Sequence, residues 1–160
     1  MNERKCTAMA LCACATMETK RGTDLWTFKT HRVPQPAESL CPAHRHGTRG
    51  DPPWLCRVVK TVDADDANPL GVPHGGVYFS MSDNACGSAM ASYGYMAVTL
   101  NASYQFFRSA CVGDHLTAEA REIKHGKTVS VYEARVTNQD GILLGTGTFT
   151  FFQLDQKIEL

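Results

Sequence analysis

A chain of 160 residues with 43% hydrophobic and 20% charged side chains has the length and balance of one globular domain, and no apolar run approaches the roughly 18 residues that a membrane-spanning helix needs. Sixteen Lys and Arg offset sixteen Asp and Glu, so no net field favours nucleic acid or an anionic membrane as partner. The seven cysteines cannot all pair internally, and Cys86 and Cys111 lie in apolar segments where free thiols pack as small hydrophobes, so a reducing, cytoplasmic setting is expected.

In chain order, Arg4 and Lys5 followed by Ala8 to Thr16 imitate a signal peptide only faintly, because Cys, Thr and Ala make a poor apolar region. Residues 1–54 hold four of the seven cysteines and three of the six histidines, with clustered Pro and Gly and no period of 2 or 3.6, and are expected to be an atypical, poorly structured segment. Within it, Cys12, Cys14, Cys41, His44 and His46 are zinc-ligand types at a spacing that matches no closed site, so no metal is expected. Residues 55–155 read as the folded domain and 156–160 as a tail.

The domain opens with a strand over Leu55 to Val62 and a polar, turn-rich loop over Asp63 to Pro73. A helix follows from about Gly75 to Tyr93. Tyr78, Met81, Ala85 and Ala89 form one stripe on it, Phe79, Cys86, Met90 and Tyr93 its neighbour, and both stripes are expected to be buried. Its many small residues cost helix propensity and permit close approach of a sheet. Val98 to Phe107 then alternates Val98, Leu100, Ala102, Tyr104 and Phe106 against Thr99, Asn101, Ser103 and Gln105, and further strands are expected at His115 to Lys124, Thr128 to Asn138 and Ile142 to Leu154. The short Gly-containing links at Gly113, Gly126 and Gly141 suit hairpins. In the last strand Gly145 and Gly147 share a face, where the helix backbone is expected to come close. The sum is an α+β domain with a curved antiparallel sheet around one long helix.

The chemistry concentrates in Asn68 to Gly76 and the helix that follows. Gly75 and Gly76 open that helix, so their N–H groups lack intrahelical acceptors and lie at the positive end of its dipole, where a developing oxyanion would be stabilised. Asp83 falls on the stripe of Phe79, Cys86 and Met90, an apolar setting in which a carboxylate needs either a structural partner or a role as general base or nucleophile. His74, just before the helix, either orders the loop or moves protons, and the loop-ordering role is favoured. Asn68 either makes an Asx-turn or donates its amide to a carbonyl or water.

Taken together these residues resemble the hotdog-fold thioesterases of the phenylacetate-degradation class over about residues 56 to 154. The likeness rests on Asn68 with His74-Gly75-Gly76, Asp83 nine residues after the histidine, Gly113-Asp114 with Thr117 to Ala120 beyond, Lys124 to Thr128, and Asp140-Gly141 with Gly145 to Thr148. It implies a hotdog fold and hydrolysis of acyl-CoA thioesters. Asp83 would be general base or nucleophile, the Gly75 N–H the oxyanion donor, Asn68 a positioning amide and Thr99 an assisting hydroxyl.

His74 and Gly76 would border the substrate, and Arg108, Lys124 and Lys127 would meet the phosphates of coenzyme A, although each cation alone reads equally well as solvated surface. Coenzyme A enters as part of the substrate, with no separate cofactor. The resemblance further implies a homodimer, with Asp83 facing the partner's Asn68 and Gly75, and a dimer of dimers. Members of this class carry an amphipathic helix before the first strand. Residues 1–54 lack one, as a divergent extension or through an altered reading frame would leave them. The competing readings are a non-catalytic acyl-CoA-binding module, disfavoured by the carboxylate at position 83, and an enoyl-thioester hydratase, which His74 is too close to the helix start to serve.

Overall fold

The computed structural model describes residues 38–40 and 55–158. The zinc-ligand types and the signal-like start lie outside them. Strands β1 (Glu38–Leu40), β2 (Leu55–Thr61), β3 (Tyr95–Phe106), β4 (His115–Lys124), β5 (Val129–Thr137) and β6 (Leu143–Lys157) form one antiparallel sheet in the order β1-β2-β4-β5-β6-β3, and helix α1 (Gly75–Ala91) packs against it. This is the expected α+β hotdog arrangement. No helix among the described residues is long and apolar enough to cross a membrane.

Alternation decides which strand faces meet the helix. Leu116, Ala118 and Ala120 of β4, Tyr132, Ala134 and Val136 of β5, and Phe149 and Phe151 of β6 are buried around Met81, Ala85, Cys86, Ala89 and Met90. Alanines at the sheet centre let the helix sit low, while Tyr132 and Phe149, both fully buried, fill the flanks. Each such large side chain contributes roughly 1.5–3 kcal/mol by burial, more than any of the exposed ion pairs.

Several expectations are corrected. The link from β3 to β4 is not a hairpin: β4 pairs with β2 and β5, while β3 lies at the far edge against β6. The chain crosses one end of the sheet on the way, and Gly113, at φ 95°, donates its N–H to the Val62 carbonyl to close that crossing. Gly145 and Gly147 are approached by the neighbouring strand rather than by the helix, since a Cβ on either would meet the Tyr104 ring and the carbonyls of Gln105 or Ser103. The Phe79 stripe is not wholly buried, for Phe79 is 37% exposed.

Two further differences bear on the chain as a whole. The three-residue β1 lies within the segment read as irregular, and β6 continues to Lys157 instead of stopping at Leu154. Cys56 and Cys111 are disulfide-bonded, which corrects the reading of Cys111 as a free thiol and removes the cysteine-based ground for a reducing compartment. Among the described residues Cys86 is the free cysteine, buried as expected.

Candidate active site

The loop from β2 to α1 is built on its own hydrogen bonds. Asp63 caps a short 3-10 turn, Ala64–Asp66, by accepting the Asp65 and Asp66 N–H groups at 2.9 and 3.2 Å. Asn68 Oδ1 accepts the Leu70 N–H at 2.8 Å, the Asx-turn that a residue before Pro favours. His74 is the helix N-cap. Its Nδ1 accepts the Gly76 N–H at 2.9 Å, which agrees with the loop-ordering role and commits the Gly76 N–H to the cap. The neighbouring Gly75 N–H has no acceptor among the described residues and lies at the positive end of a 17-residue helix. Phe106 sits so close that a Cβ on Gly75 would be 3.1 Å from its ring.

Asp83 lies two turns further along α1, on a half-exposed face with Asn84, Gly87 and Ser88 rather than on the buried stripe. Its Oδ1 accepts the Thr99 hydroxyl at 2.7 Å. A register shift between Thr99 and Asn101 explains how Thr99 reaches it. The bulge breaks the strict alternation of β3, so Ala97 and Thr99 stand on the helix side before it and Ala102 and Tyr104 after it. The expected grouping of Thr99 with Asn101, Ser103 and Gln105 on one polar face is therefore corrected.

Asp83 and Thr99 border an open groove of about 910 Å³, whose wall continues through Gly87, Ala91 and Ala97 over Phe151 to Lys157 and Ile158. That volume lies within the usual range for small-molecule sites. Beneath it the buried Cys86 thiol is pushed well above its ordinary range, first by burial and then by the negative charge of Asp83, which disfavours the thiolate.

Within the chain the expected site residues form two groups. Asp83 stands eight positions beyond Gly75 on the helix, roughly 12 Å at 1.5 Å per residue, too far for both to act on one carbonyl. The cations divide likewise. The Arg108 N–H bonds to Leu144 O near the helix start, whereas Thr128 O, beside Lys124 and Lys127, accepts from Gln153 N–H nine residues along β6, roughly 30 Å away. All three cations are exposed and make no ion pair among the described residues.

One feature of the loop was missed in the sequence. Lys60 and Asp66 form a buried ion pair, Nζ to Oδ2 at 3.0 Å, beneath the segment that carries Asn68 and His74. A lysine at an inward position between Val58 and Val62, with Asp63 and Asp66 in capping-box spacing, was the available cue.

A model of the thioesterase superfamily matches residues 70–144. Acyl-coenzyme A thioesterase PaaI of Escherichia coli (strain K12) is 38% identical over 82 residues, 51% of this chain and 59% of that protein. The chain spans 57–65% of the length of the curated relatives it matches. Among solved structures, the E. coli PaaI protein of the phenylacetic acid degradation operon aligns with a TM-score of 0.64 at 30% identity, over 66% of this chain and 76% of that one. A Streptococcus mutans UA159 protein bound to acetyl-CoA aligns at 0.63 and 32%, over 65% and 84%. A hypothetical thioesterase of Streptococcus pneumoniae TIGR4 with coenzyme A aligns at 0.63 and 30%, over 65% and 81%.

Proposed function

The chain belongs to the thioesterase superfamily, and from that premise we propose that it hydrolyses acyl-CoA thioesters to the free acid and coenzyme A. The observation that carries the reading is the Asp83 carboxylate, held by Thr99 at the mouth of a groove of small-molecule size. Asp83 takes a proton from the water that adds to the thioester carbon, or attacks that carbon itself to give a mixed anhydride, which water then opens to the free acid and the Asp83 carboxylate while supplying the proton that the thiolate takes up. The carbonyl oxygen, gaining charge, is held by the Gly75 N–H, with Asn68 beside it. Collapse of the tetrahedral adduct expels the thiolate, which recovers the proton as coenzyme A. Donors of this kind typically lower a barrier by about 2.7–4 kcal/mol each.

The roughly 12 Å between the two halves in one chain supports a site shared by two protomers, Asp83 and Thr99 of one meeting Gly75 and Asn68 of its partner. The edge strand β3 is the surface proposed to join them. It is 12 residues long, lies at one end of the strand order, and exposes Met96, Val98 and Leu100, an edge that a lone soluble domain would be expected to protect. Exposed Val98, Phe152 and Val129 align across β3, β6 and β5 and supply apolar surface for a dimer of dimers. Arg108, two residues beyond Phe106, is the cation proposed for the coenzyme A phosphates at the Gly75 end. Lys124 and Lys127 serve a carrier bound at the other end or only solvate the hairpin. The substrate class suits a cytoplasmic setting, against which the disulfide bonds at Cys56 and Cys111 weigh; fractionation of the native protein decides between them.

The test is free-thiol release from a panel of aryl and straight-chain acyl-CoAs by wild type and Asp83→Asn, with dissociation constants in parallel. Turnover by wild type, and binding without turnover by the variant, is the expected result. Tight binding by wild type without thiol release would replace this reading with that of an acyl-CoA-binding module.

A further inference from the structure

Lys60 stands where the alternation of β2 calls for an apolar residue. Cys56, Val58, Lys60 and Val62 are buried on the helix side, while Arg57 and Thr61 are exposed. The Lys60 side chain is 7% exposed and that of Asp66 fully buried, with Nζ 3.0 Å from Asp66 Oδ2 and 3.5 Å from Asp63 Oδ2. Asp66 Oδ2 also accepts the Asp63 N–H at 2.9 Å, and Asp66 Oδ1 is the buried side-chain oxygen without a hydrogen-bond partner among the described residues. A buried pair of this kind contributes little more than apolar residues of the same volume would, and breaking it on one side is costly. Packing alone does not account for it.

What it holds is the stem of the loop that carries the carbonyl-binding groups. The Asp66 carbonyl accepts the His74 N–H at 2.8 Å, and Ala67 bridges Pro73 directly above. Inside that stem Asn68 N–H bonds to Val72 O at 2.8 Å and Gly71 N–H to Asn68 O at 2.9 Å. Asn68 leaves the stem two residues after Asp66, and Gly75 follows His74 immediately. The position of both groups is thus set by a segment whose only buried charged anchor among the described residues is Lys60. Among the described residues no hydrogen bond joins this network to Asp83 or Thr99.

We infer that Lys60 and Asp66 are positioning residues for the carbonyl-binding loop. Their ion pair fixes where the Gly75 N–H and the Asn68 amide stand, and neither side chain touches substrate. The kinetic part of this inference rests on the thioesterase reading; the structural part does not. Because the pair acts only through the loop, its loss lowers kcat and leaves coenzyme A affinity nearly unchanged. The part of its effect that runs through the Gly75 donor also disappears once that donor is gone, so the two losses combine to less than their product.

The experiment compares wild type with the neutral double variant Lys60→Met/Asp66→Asn, and with Lys60→Arg, which keeps the charge and so keeps the test alive if the double variant does not fold. Amide hydrogen exchange on the full chain reads the loop directly. At His74 and Gly71 exchange is expected to quicken about tenfold or more in the double variant, and by a smaller factor in Lys60→Arg, with Met81 to Met90 unchanged. Thiol release from acyl-CoA is expected to show kcat lower by on the order of 10²-fold and KM nearly constant, and a combined loss well short of the product when Gly75→Pro is added. Unchanged exchange at His74 and Gly71 overturns the inference, as does faster exchange with wild-type kcat, or a loss that multiplies with that of Gly75→Pro. If wild type releases no thiol, the thioesterase reading falls instead, and the exchange data still decide whether the ion pair holds the loop.

Discussion

Thr99 Oγ1 donates a 2.7 Å hydrogen bond to Asp83 Oδ1, tying the edge strand β3 to the middle of α1 at the mouth of the groove. The bond occupies one carboxylate oxygen, and the other has no hydrogen-bond partner among the described residues. Hydrogen bonds to charged groups are worth about 1.5–3 kcal/mol. Thr99→Val, which keeps the shape and removes the donor, is therefore expected to lower kcat roughly 10- to 100-fold, with Thr99→Ser close to wild type. Steady-state thiol release checks this; full activity in Thr99→Val would remove Thr99 from the site.

Gly75 offers an unusually clean deletion. It is the first helical residue after the N-cap, where proline is well tolerated, and His74 at φ −61°, ψ 139° already has the extended conformation a residue before proline needs. Gly75→Pro removes the N–H without breaking the helix, once the exposed Phe106 ring turns aside. The expected loss is about 10²–10³ in kcat, measured by thiol release with helicity monitored by circular dichroism.

If the site spans two protomers, Gly75→Pro and Asp83→Asn complement each other. In a mixed dimer one site carries both lesions and the other neither. Unfolding and refolding equal amounts together makes half the dimers mixed, so activity is expected to return to about a quarter of wild type. Sedimentation analysis of the same mixture reports the dimer. No recovery from a mixture that does form dimers would place both groups in one protomer's site and overturn the two-protomer reading.

The small residues of the groove and the sheet separate two roles of glycine. A Cβ on Gly87 would meet only the Phe151 ring at 3.6 Å, so Gly87→Ala gains helix propensity of about 1 kcal/mol and is expected to raise the melting temperature. Gly87 also lines the groove, and its methyl is expected to raise KM for aryl acyl-CoAs more than for acetyl-CoA. A Cβ on Gly147 would lie 2.9 Å from the Ser103 carbonyl and against the Tyr104 ring, so Gly147→Ala is expected to cost about 1–3 kcal/mol. Denaturant melts of the two variants, moving in opposite directions, check the pair.

Much of this fold was legible because its signals are local. The helix start at Gly75 and the span of β4 were read directly from capping and alternation, and the helix end differs by two residues where Ser92 and Tyr93 only fray into a turn. What failed was long-range. The crossing of the chain between β3 and β4 looks in sequence like a hairpin link, because Gly113 serves a crossover as readily as a tight turn. The bulge that turns Thr99 toward Asp83 leaves no mark in the alternation of Val98 to Phe107, since its cause is the pairing with β6. Asn68, His74, Gly75 and Asp83 could be named as candidates one by one, but the roughly 12 Å between the last two follows only from placing them on one helix. Lys60 and Asp66, 6 positions apart and each ordinary alone, become a pair only when the loop folds back.

Cys86 gives a prediction about pH. Burial, reinforced by the charge of Asp83, raises its thiol pKa far above the unfolded value of about 8.5, and burial raises Tyr78, Tyr104 and Tyr132 as well. For a group whose folded pKa is raised, the stabilisation is complete below the unfolded pKa and is lost as pH climbs towards the folded one. The urea midpoint is therefore expected to be flat near neutrality with respect to these groups, to start falling above about pH 8.5 as the unfolded thiol ionises, and to steepen near pH 10 as unfolded tyrosines follow. Cys86→Ala loses core packing at all pH values but is expected to flatten the first part of that fall. In the native protein at pH 8, mass-resolved alkylation is expected to leave Cys86 unmodified until denaturant is added, whereas rapid native labelling would contradict both the burial of Cys86 and the pH profile derived from it.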